Sequence, residues 1–180
     1  MSVTATQTNP VGTGLITHAT ALVRGAVDAD VSVYHARTDF ARIAVNWGGV
    51  LITLFSAAAA QGLLEGFAAA RQAVARIPRE IPPPPTVSAP QFARPIVAME
   101  FTYRPTYVVV PQSGTARSGD RTVHWVDLHT GPITWQIRDQ AGLRSATELL
   151  QQVHTTAVAV FLDGPAHAED PTIGHYPGPR

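Results

Sequence analysis

Apolar residues recur at helical spacing through the first half of the chain. The spacing predicts a short amphipathic helix over residues 13–27, and it leaves residues 31–34 open between a short strand and the start of a helix. Thr38 and Asp39 are suitable N-cap residues for a second helical stretch. Residues 50–77 contain no proline and are dense in alanine and leucine, which predicts a long apolar helix.

A proline-rich segment, residues 78–95, follows the predicted long helix. It includes four consecutive prolines from Pro82 to Pro85, and such a run favours an extended polyproline II spacer. We therefore expect this linker to hold the two halves of the chain apart.

After the linker the apolar period changes to two, which is typical of strands. The elements predicted there are strands over 96–103, 106–110, 123–127 and 133–137, a Gly/Ser loop over 112–120, a helix over 141–154 and a buried strand over 156–162. A short link that contains Gly131 predicts that the third and fourth of these strands pair as a hairpin. The C-terminal half is thus expected to be a mainly antiparallel sheet with one packed helix, in the order ββββαβ.

These patterns predict an α+β protein with an N-terminal helical segment that includes the long apolar helix, a Pro-rich linker and a C-terminal sheet with its helix. No internal repeat is visible. The expected division is a flexible leader over 1–12, a helical self-association segment over 13–77, the linker over 78–95, a small α+β domain over 96–163 and a tail over 164–180.

Residues 47–70 contain a single ionisable side chain, Glu65. The stretch is long enough to cross a bilayer, which takes about 20 residues. However, alanine is only weakly apolar, and an ionised glutamate inside a membrane is costly. We therefore favour a buried or intersubunit helix in a protein that folds in water, and we keep a membrane span and an interfacial helix as alternatives.

Small residues spaced four apart let two helices approach closely. Ala58 and Gly62 have this spacing, as do Gly62 and Gly66, and large apolar residues lie beside them. The residues expected in an oligomer interface are Leu51, Phe55, Ala58, Gly62, Leu63, Gly66 and Phe67.

Composition and charge exclude some classes of protein. All thirteen basic residues are arginine, which fits a high-GC bacterial genome such as that of an actinobacterium. The arginines are scattered and the formal net charge is zero, so nucleic acid is not expected as a partner. The absence of cysteine and of a signal peptide favours the cytoplasm, with membrane association as the alternative.

The chain contains no sequence motif for nucleotide binding, metal catalysis or nucleophilic catalysis. The nearest approach to a site is formed by His124, Asp127 and His129. In a strand Asp127 and His129 share a face, whereas His124 points to the other side. Two such side chains at the end of a hairpin are more often surface residues than a metal site. No catalytic, cofactor-binding or metal-binding residue is therefore assigned, and no cofactor is expected.

The leading interpretation is a non-enzymatic, self-associating structural or scaffolding protein whose apolar helix mediates assembly. Its partner would be a second copy of the chain or another protein. The first alternative is a membrane-anchored accessory protein with a cytoplasmic α+β module. A further alternative is a small enzyme with a site near Asp127 and His129.

Overall fold

The computed structural model describes residues 18–82, 97–174 and 176–178. Within these ranges the chain forms eight strands and two α-helices. The strands are β1 Ala19–Val23, β2 Ala29–Tyr34, β3 Arg42–Trp47, β4 Val50–Leu54, β5 Val97–Phe101, β6 Tyr107–Thr115, β7 Thr122–Thr130 and β8 Ile133–Ile137. The helices are α1 Ala57–Ala70 and α2 Gln140–Val160, and 3₁₀ turns follow them at Arg71–Arg76 and Gly164–His167.

The strands form two four-stranded sheets. Sheet A has the order β1-β8-β7-β6, and sheet B has the order β2-β3-β4-β5. In each sheet three consecutive strands are antiparallel and a fourth joins in parallel. Ala19 of β1 lies opposite Ile133 of β8, and Val50 of β4 lies opposite Val97 of β5.

The two sheets and their helices are two copies of one topology. The first copy consists of β2, β3, β4, α1 and β5, and the second of β6, β7, β8, α2 and β1. In both copies a two-residue turn begins at a glycine with positive φ, Gly48 at 58° and Gly131 at 59°, and a polar residue caps the helix, Ser56 or Asp139. The same number of residues separates turn from cap. The repeat is one of topology and not of sequence, and the two copies differ in chain order, because β1 of the second copy comes before all the other strands.

One hydrophobic core joins both sheets and both helices. Trp47 of β3 stacks on Trp135 of β8 with ring centroids 5.0 Å apart. Phe67 of α1 packs against both rings, at 5.9 Å and 5.7 Å. Aromatic pairs of this kind contribute about 0.5–1.5 kcal/mol beyond the area they bury. The two copies of the motif therefore meet in a shared aromatic cluster.

The helices α1 and α2 pack against each other, and the segment that follows each helix docks on the start of the other. The carboxylate of Asp163, after α2, accepts hydrogen bonds from the first two N–H groups of α1 at 2.9 and 3.1 Å. The carbonyl groups of Pro78 and Arg79, after α1, accept from the first two N–H groups of α2 at 3.0 Å each. These contacts satisfy N–H groups that have no partner within their own helix.

Asp139 is a fully buried carboxylate that holds three segments together. It accepts hydrogen bonds from the N–H groups of Gly142 in α2 at 2.7 Å, of Gly25 after β1 at 3.0 Å, and of Ile81 at 2.8 Å. Hydrogen bonds to a charged acceptor are stronger than neutral ones, and they replace the water that burial removes. The start of α2 is therefore tied to both neighbouring chain segments.

The predicted long N-terminal apolar helix is wrong, because residues 19–54 form four strands and α1 begins only at Ala57. Two features outweigh the helical spacing. In β3 the buried Ile43 and Val45 alternate with less buried residues, which is the period of a strand. Gly48 then opens a two-residue hairpin turn instead of separating two helices.

The same correction applies to the two shorter segments before it. β1 takes the place of a helix predicted over residues 13–27, of which 13–17 lie outside the described residues. Residues 31–34, left open between strand and helix, belong to β2. β1 pairs with β8, a distant segment that local spacing does not reveal, whereas β2 pairs with β3, the next strand along the chain.

The predicted order ββββαβ for the second half is also wrong. β7 and β8 form the predicted hairpin, but β6 runs to Thr115 through part of the predicted loop. The helix α2 continues to Val160, through most of the segment predicted as a buried strand. In that segment Ala157 and Val160 face the core at helical spacing, and alanine is a strong helix former.

The described residues on the two sides of residues 83–96 contact each other. β1 pairs with β8, and residues 78–81 lie against the start of α2. Residues after 163 also pack on the rest of the chain, since the amide of Gln61 donates to the carbonyl of Glu169 at 2.8 Å. The predicted leader and the prolines at 83–85 lie outside the described residues.

Replacing Asp139 with alanine should lower the free energy of unfolding by about 2–4 kcal/mol, because α2 loses its cap and buried N–H groups lose their acceptor. Urea denaturation followed by circular dichroism measures this change. Glu148→Ala, at an exposed position on the same helix, is the control and should change the value by less than about 0.5 kcal/mol. A loss for Asp139→Ala as small as the control's would show that the three segments are held by other contacts.

Candidate functional site

A groove with a volume of about 730 Å³ lies between one end of sheet A and residues 76–82. Four arginines line it, Arg24, Arg76, Arg121 and Arg138, and we name it the arginine groove after them. Its volume falls within the range of roughly 300–1,000 Å³ that is usual for ligand sites.

Four separate elements bring these arginines together. Arg24 directly follows β1 and Arg138 directly follows β8, and because these strands are parallel neighbours, both side chains leave the same end of sheet A. Arg121 directly precedes β7, which is antiparallel to β8 and so begins at that end. Arg76 ends the 3₁₀ turn after α1. The groove is therefore a product of the sheet topology.

No carboxylate of the described residues pairs with these four guanidinium groups. The two ion pairs in that part of the chain are Arg104 with Glu65 and His167 with Asp163, both outside the groove. Glu80 is the one acidic side chain that lines the groove. The groove is thus net positive although the formal net charge of the chain is zero. A cleft lined by one sign of charge concentrates ligands of the opposite sign.

The groove also has an apolar wall. Leu22 belongs to this wall and leaves 58% of its surface exposed. The apolar lining residues are Leu22, Ile77, Pro78, Ile81, Pro82 and Val123. A ligand that carries both anionic groups and apolar groups matches this combination.

Trp125 lies beside the groove beneath Arg138, whose guanidinium carbon is 5.0 Å from the ring centroid. This cation–π contact orients the arginine. The indole Nε1 of Trp125 is buried and has no hydrogen-bond acceptor among the described residues. Trp125 also lines a small pocket of about 110 Å³ that shares Arg76 and His124 with the groove.

The wall formed by residues 76–82 is fixed by the start of α2. The amide of Gln140 donates to the carbonyl groups of Val74 and Ile77 at 3.3 and 3.2 Å. Ile81 is held by the carboxylate of Asp139. The wall is therefore attached to the same helix start that follows Arg138.

Asp127 and His129 share the outer face of sheet A, as the sequence predicts, but they do not form a pair. The hydroxyl of Thr134 lies 2.7 Å from Nδ1 of His129 and 2.7 Å from Nε2 of His18. A hydroxyl donates one hydrogen bond, so one of the two rings must donate to it. Asp127 accepts from the amide of Gln136 at 3.5 Å.

These contacts give His129 and Asp127 separate partners, Thr134 and Gln136. Thr134 is buried. The described residues contain no group of three or more histidine, aspartate or glutamate side chains placed to hold a metal ion. His124 faces the arginine groove instead.

A second polar network ties the C-terminal segment to α1. Arg104 donates to Gln61 at 2.7 Å, to Tyr176 at 2.6 Å and to Glu65. Burial opposes its charge, but the hydrogen bond to Tyr176 and the charge of Glu65 outweigh burial and raise the pKa of Arg104. Burial and the charge of Glu65 also raise the pKa of Tyr107, which donates to Glu65 at 3.3 Å. These groups bind one another, which makes the network a structural tie.

The first copy of the motif carries a pocket at the equivalent position. This pocket has a volume of about 390 Å³ and lies at the start of α1. Phe55 stands directly before the cap of α1, as Arg138 stands directly before the cap of α2. Tyr103 and Leu162 also line it, with 82% and 55% of their surfaces exposed. The equivalent positions of the two copies therefore differ, since Arg138 lines the arginine groove and Phe55 lines a pocket that also contains Asp39, Arg104 and Asp163.

The residues predicted for an oligomer interface lie on β4 and α1, and only some of them reach the surface. Leu63 and Phe67 are fully buried in the core of their own chain, so neither is available to a second subunit. Leu51 and Ala58 are half-buried and Phe55 is exposed.

The two glycines of the predicted interface do permit close approach, but within one chain. A Cβ atom at Gly62 would lie 2.5 Å from Cγ of Arg104 and 2.9 Å from Cδ of Pro105. A Cβ atom at Gly66 would lie 3.4 Å from Leu128 and Tyr107, an ordinary contact distance. Gly62 therefore makes room for the segment that links β5 to β6.

Comparisons of the chain with protein-family models, curated proteins and solved structures found no match. Its function must therefore be argued from its own geometry. Among the described residues no helix combines the length and the apolar character that crossing a membrane requires.

The arginine groove was not predicted, because its four arginines are far apart in the sequence. Arg24 and Arg138 are more than a hundred positions apart, and neither has a basic neighbour in sequence. One signal in the sequence was the position of Arg138 directly after a correctly predicted strand, which places it at the end of a sheet. Arg24 can be placed at the same end only if one knows that β1 pairs with β8.

Gly62→Ala should destabilise the protein by about 1–3 kcal/mol, since the added methyl group overlaps Arg104 and Pro105. Gly66→Ala is the matched control, because it adds the same helix propensity, about 1 kcal/mol, without overlap. It should leave the protein as stable as the parent or slightly more so. Thermal unfolding of both variants checks the prediction, and equal effects would refute the close approach at Gly62.

Proposed function

We propose that the protein is a non-catalytic binding module that takes an anionic ligand into the arginine groove. The observation that carries this proposal is the convergence of Arg24, Arg76, Arg121 and Arg138 without a carboxylate partner among the described residues. A guanidinium group presents a planar set of donors that matches a carboxylate or a phosphate. The apolar wall supports a ligand that is more than a bare ion.

The lining of the groove favours binding over chemistry. Its side chains offer one imidazole, that of His124, and one carboxylate, that of Glu80. The one hydroxyl among the lining side chains is that of Thr122, and no described contact activates it. For the location we propose the cytoplasm, because the chain contains no cysteine for an oxidising compartment to pair.

Pyrophosphate and citrate should both bind saturably to the protein, because they present phosphate and carboxylate groups at high charge density. Trp125 beneath Arg138 reports binding through its fluorescence, and Trp125→Phe identifies its share of the signal. The double variant Arg121→Ser with Arg138→Ser should weaken binding at least about tenfold, since each arginine supplies a charged hydrogen bond. Raising the salt concentration should weaken binding further.

The double variant Arg71→Ser with Arg144→Ser is the matched control for this experiment. Both arginines are exposed and lie outside the groove, and replacing them removes the same two positive charges from the chain. This control should leave both affinities unchanged. Equal loss in the control and in the groove variant, or no saturable binding of either anion, would contradict the proposal.

Self-association is the second function that we propose, and the apolar surface of the first copy favours it. Phe40 and Tyr103 leave 80% and 82% of their surfaces exposed, and Leu162 leaves 55% exposed. Exposed apolar groups that cluster are typical of protein interfaces. This surface adjoins Phe55, which the sequence placed in an interface.

Light scattering of the full chain should give twice its mass of 19.2 kDa if this surface joins two copies. Tyr103→Ser with Phe40→Ser should return the protein to one chain mass, because both changes remove exposed apolar area. Leu22→Ser, at an exposed apolar position on the other sheet, should not change the mass. A single chain mass for the unaltered protein would remove this second function.

A further inference from the structure

The two sheets leave four edge strands, and three of them are protected against pairing. Sheet A ends in β1 and β6, and sheet B ends in β2 and β5. β6 contains Pro111, β2 contains Asp30 and β5 contains Glu100. Prolines and charges of this kind are how proteins keep other strands away from a sheet edge. β1, with the sequence ATALV, has neither.

Among the described residues, the outer edge of the β1 backbone has hydrogen-bonding groups without a strand partner. Ala19 donates to the carbonyl of Pro132, and Val23 accepts from Arg138, so Ala19 and Val23 turn their backbone groups towards β8. Successive residues of a strand alternate in direction, which turns the N–H and C=O groups of Thr20 and Leu22 away from β8. None of the described strands pairs with that side of β1.

This open edge runs directly into the arginine groove. Leu22 lines the groove from within β1, and Arg24 lines it just beyond the end of the strand. Arg138 lies at the equivalent end of the neighbouring β8. A chain laid along β1 would therefore pass from free backbone groups to unpaired positive side chains.

We infer that the ligand of the groove is an acidic segment of a partner protein, bound in extended form as a fifth strand of sheet A along β1. This inference rests on the proposed function. The backbone groups of Thr20 and Leu22 pair with the segment, while its carboxylates reach Arg24 and Arg138. Its apolar side chains pack on the wall that includes Ile77. Strand addition gives affinity through the main chain and specificity through alternate side chains.

The groove suits an acidic peptide better than a nucleic acid. A nucleic acid has no ladder of N–H and C=O groups to pair with β1. The chain as a whole carries no net charge, and Glu80 within the groove would repel a continuous phosphate backbone. A peptide with both apolar and acidic side chains, in contrast, matches a groove that is lined by both apolar and basic groups.

A fluorescein-labelled octapeptide of alternating valine and glutamate is the probe, titrated into the full chain by fluorescence anisotropy. Two derivatives test strand pairing, one N-methylated on the valine amides and the other on the glutamate amides. A strand pairs along one of its two edges. One derivative should therefore bind at least about tenfold more weakly, and the other should bind like the unmodified peptide. Equal affinities of the two derivatives overturn strand pairing.

Leu22→Pro tests the same contact from the side of the protein. Proline removes the N–H group that faces outwards and leaves the bonds between β1 and β8 in place, as is tolerated on edge strands. It should weaken the unmodified peptide at least about fivefold more than Leu22→Ala, which removes the side chain alone. Amide exchange at Leu22 should be fast in the free protein and slow in the complex. Slow exchange in the free protein would overturn the inference, because the edge would already be covered.

The outcomes separate this inference from the proposed function. If peptide binding depends on Arg121 and Arg138 but not on N-methylation, the groove binds anions and the fifth strand is wrong. If an oligothymidylate of equal length binds more tightly than the peptide, the groove function stands and a peptide ligand is wrong. If pyrophosphate, citrate and the peptide all fail to bind, both proposals fall together.

Discussion

The buried carboxylate of Asp139 is the contact on which the second copy of the motif and the arginine groove both depend. It caps α2 and holds the backbone that follows β1 and the backbone that follows α1. These two segments carry Arg24 on one side of the groove and Ile81 on the other. Because the oxygens of Asp139 are engaged by N–H groups, the carboxylate shapes the groove without neutralising its arginines. The buried carboxylate of Asp139 thus positions the arginines of the groove, and they stay accessible to a ligand.

The duplicated topology explains how one architecture presents two different surfaces. Each copy ends its central hairpin at a helix cap, and each helix start is completed by the segment that follows the other helix. The copies therefore stabilise each other while the residue before the cap is free to differ. Phe55 at that position lines one pocket, and Arg138 lines the arginine groove. The backbone contacts that the two copies share keep the fold the same, although the residue before the helix cap is apolar in one copy and basic in the other.

Local sequence patterns predict the parts of the fold in which the apolar residues recur with one clear spacing. The hairpin of β7 and β8 is of this kind, because Trp135 and its neighbours alternate and Gly131 supplies the turn. The first half was predicted wrongly because Val50–Leu54 is a short run that is apolar except for Thr53, and spacing alone cannot assign such a run to strand or helix. The alanines that follow are strong helix formers, so the predicted helix was extended back over residues that form β4. The arginine groove could not be predicted from local sequence patterns, because Arg24 reaches it only through the pairing of β1 with the distant β8.

The parallel pairing of β1 with β8 also orders events while the chain is being made. Ala19 lies opposite Ile133, so β1 has no partner in sheet A until more than a hundred further residues have been synthesised. At synthesis rates of about 5–20 residues per second, this interval is on the order of ten seconds. Throughout it, β1 is an unpaired strand without a protecting charge or proline. The contact between β1 and β8 therefore closes late, and the speed of that closure limits how long β1 is exposed to mispairing.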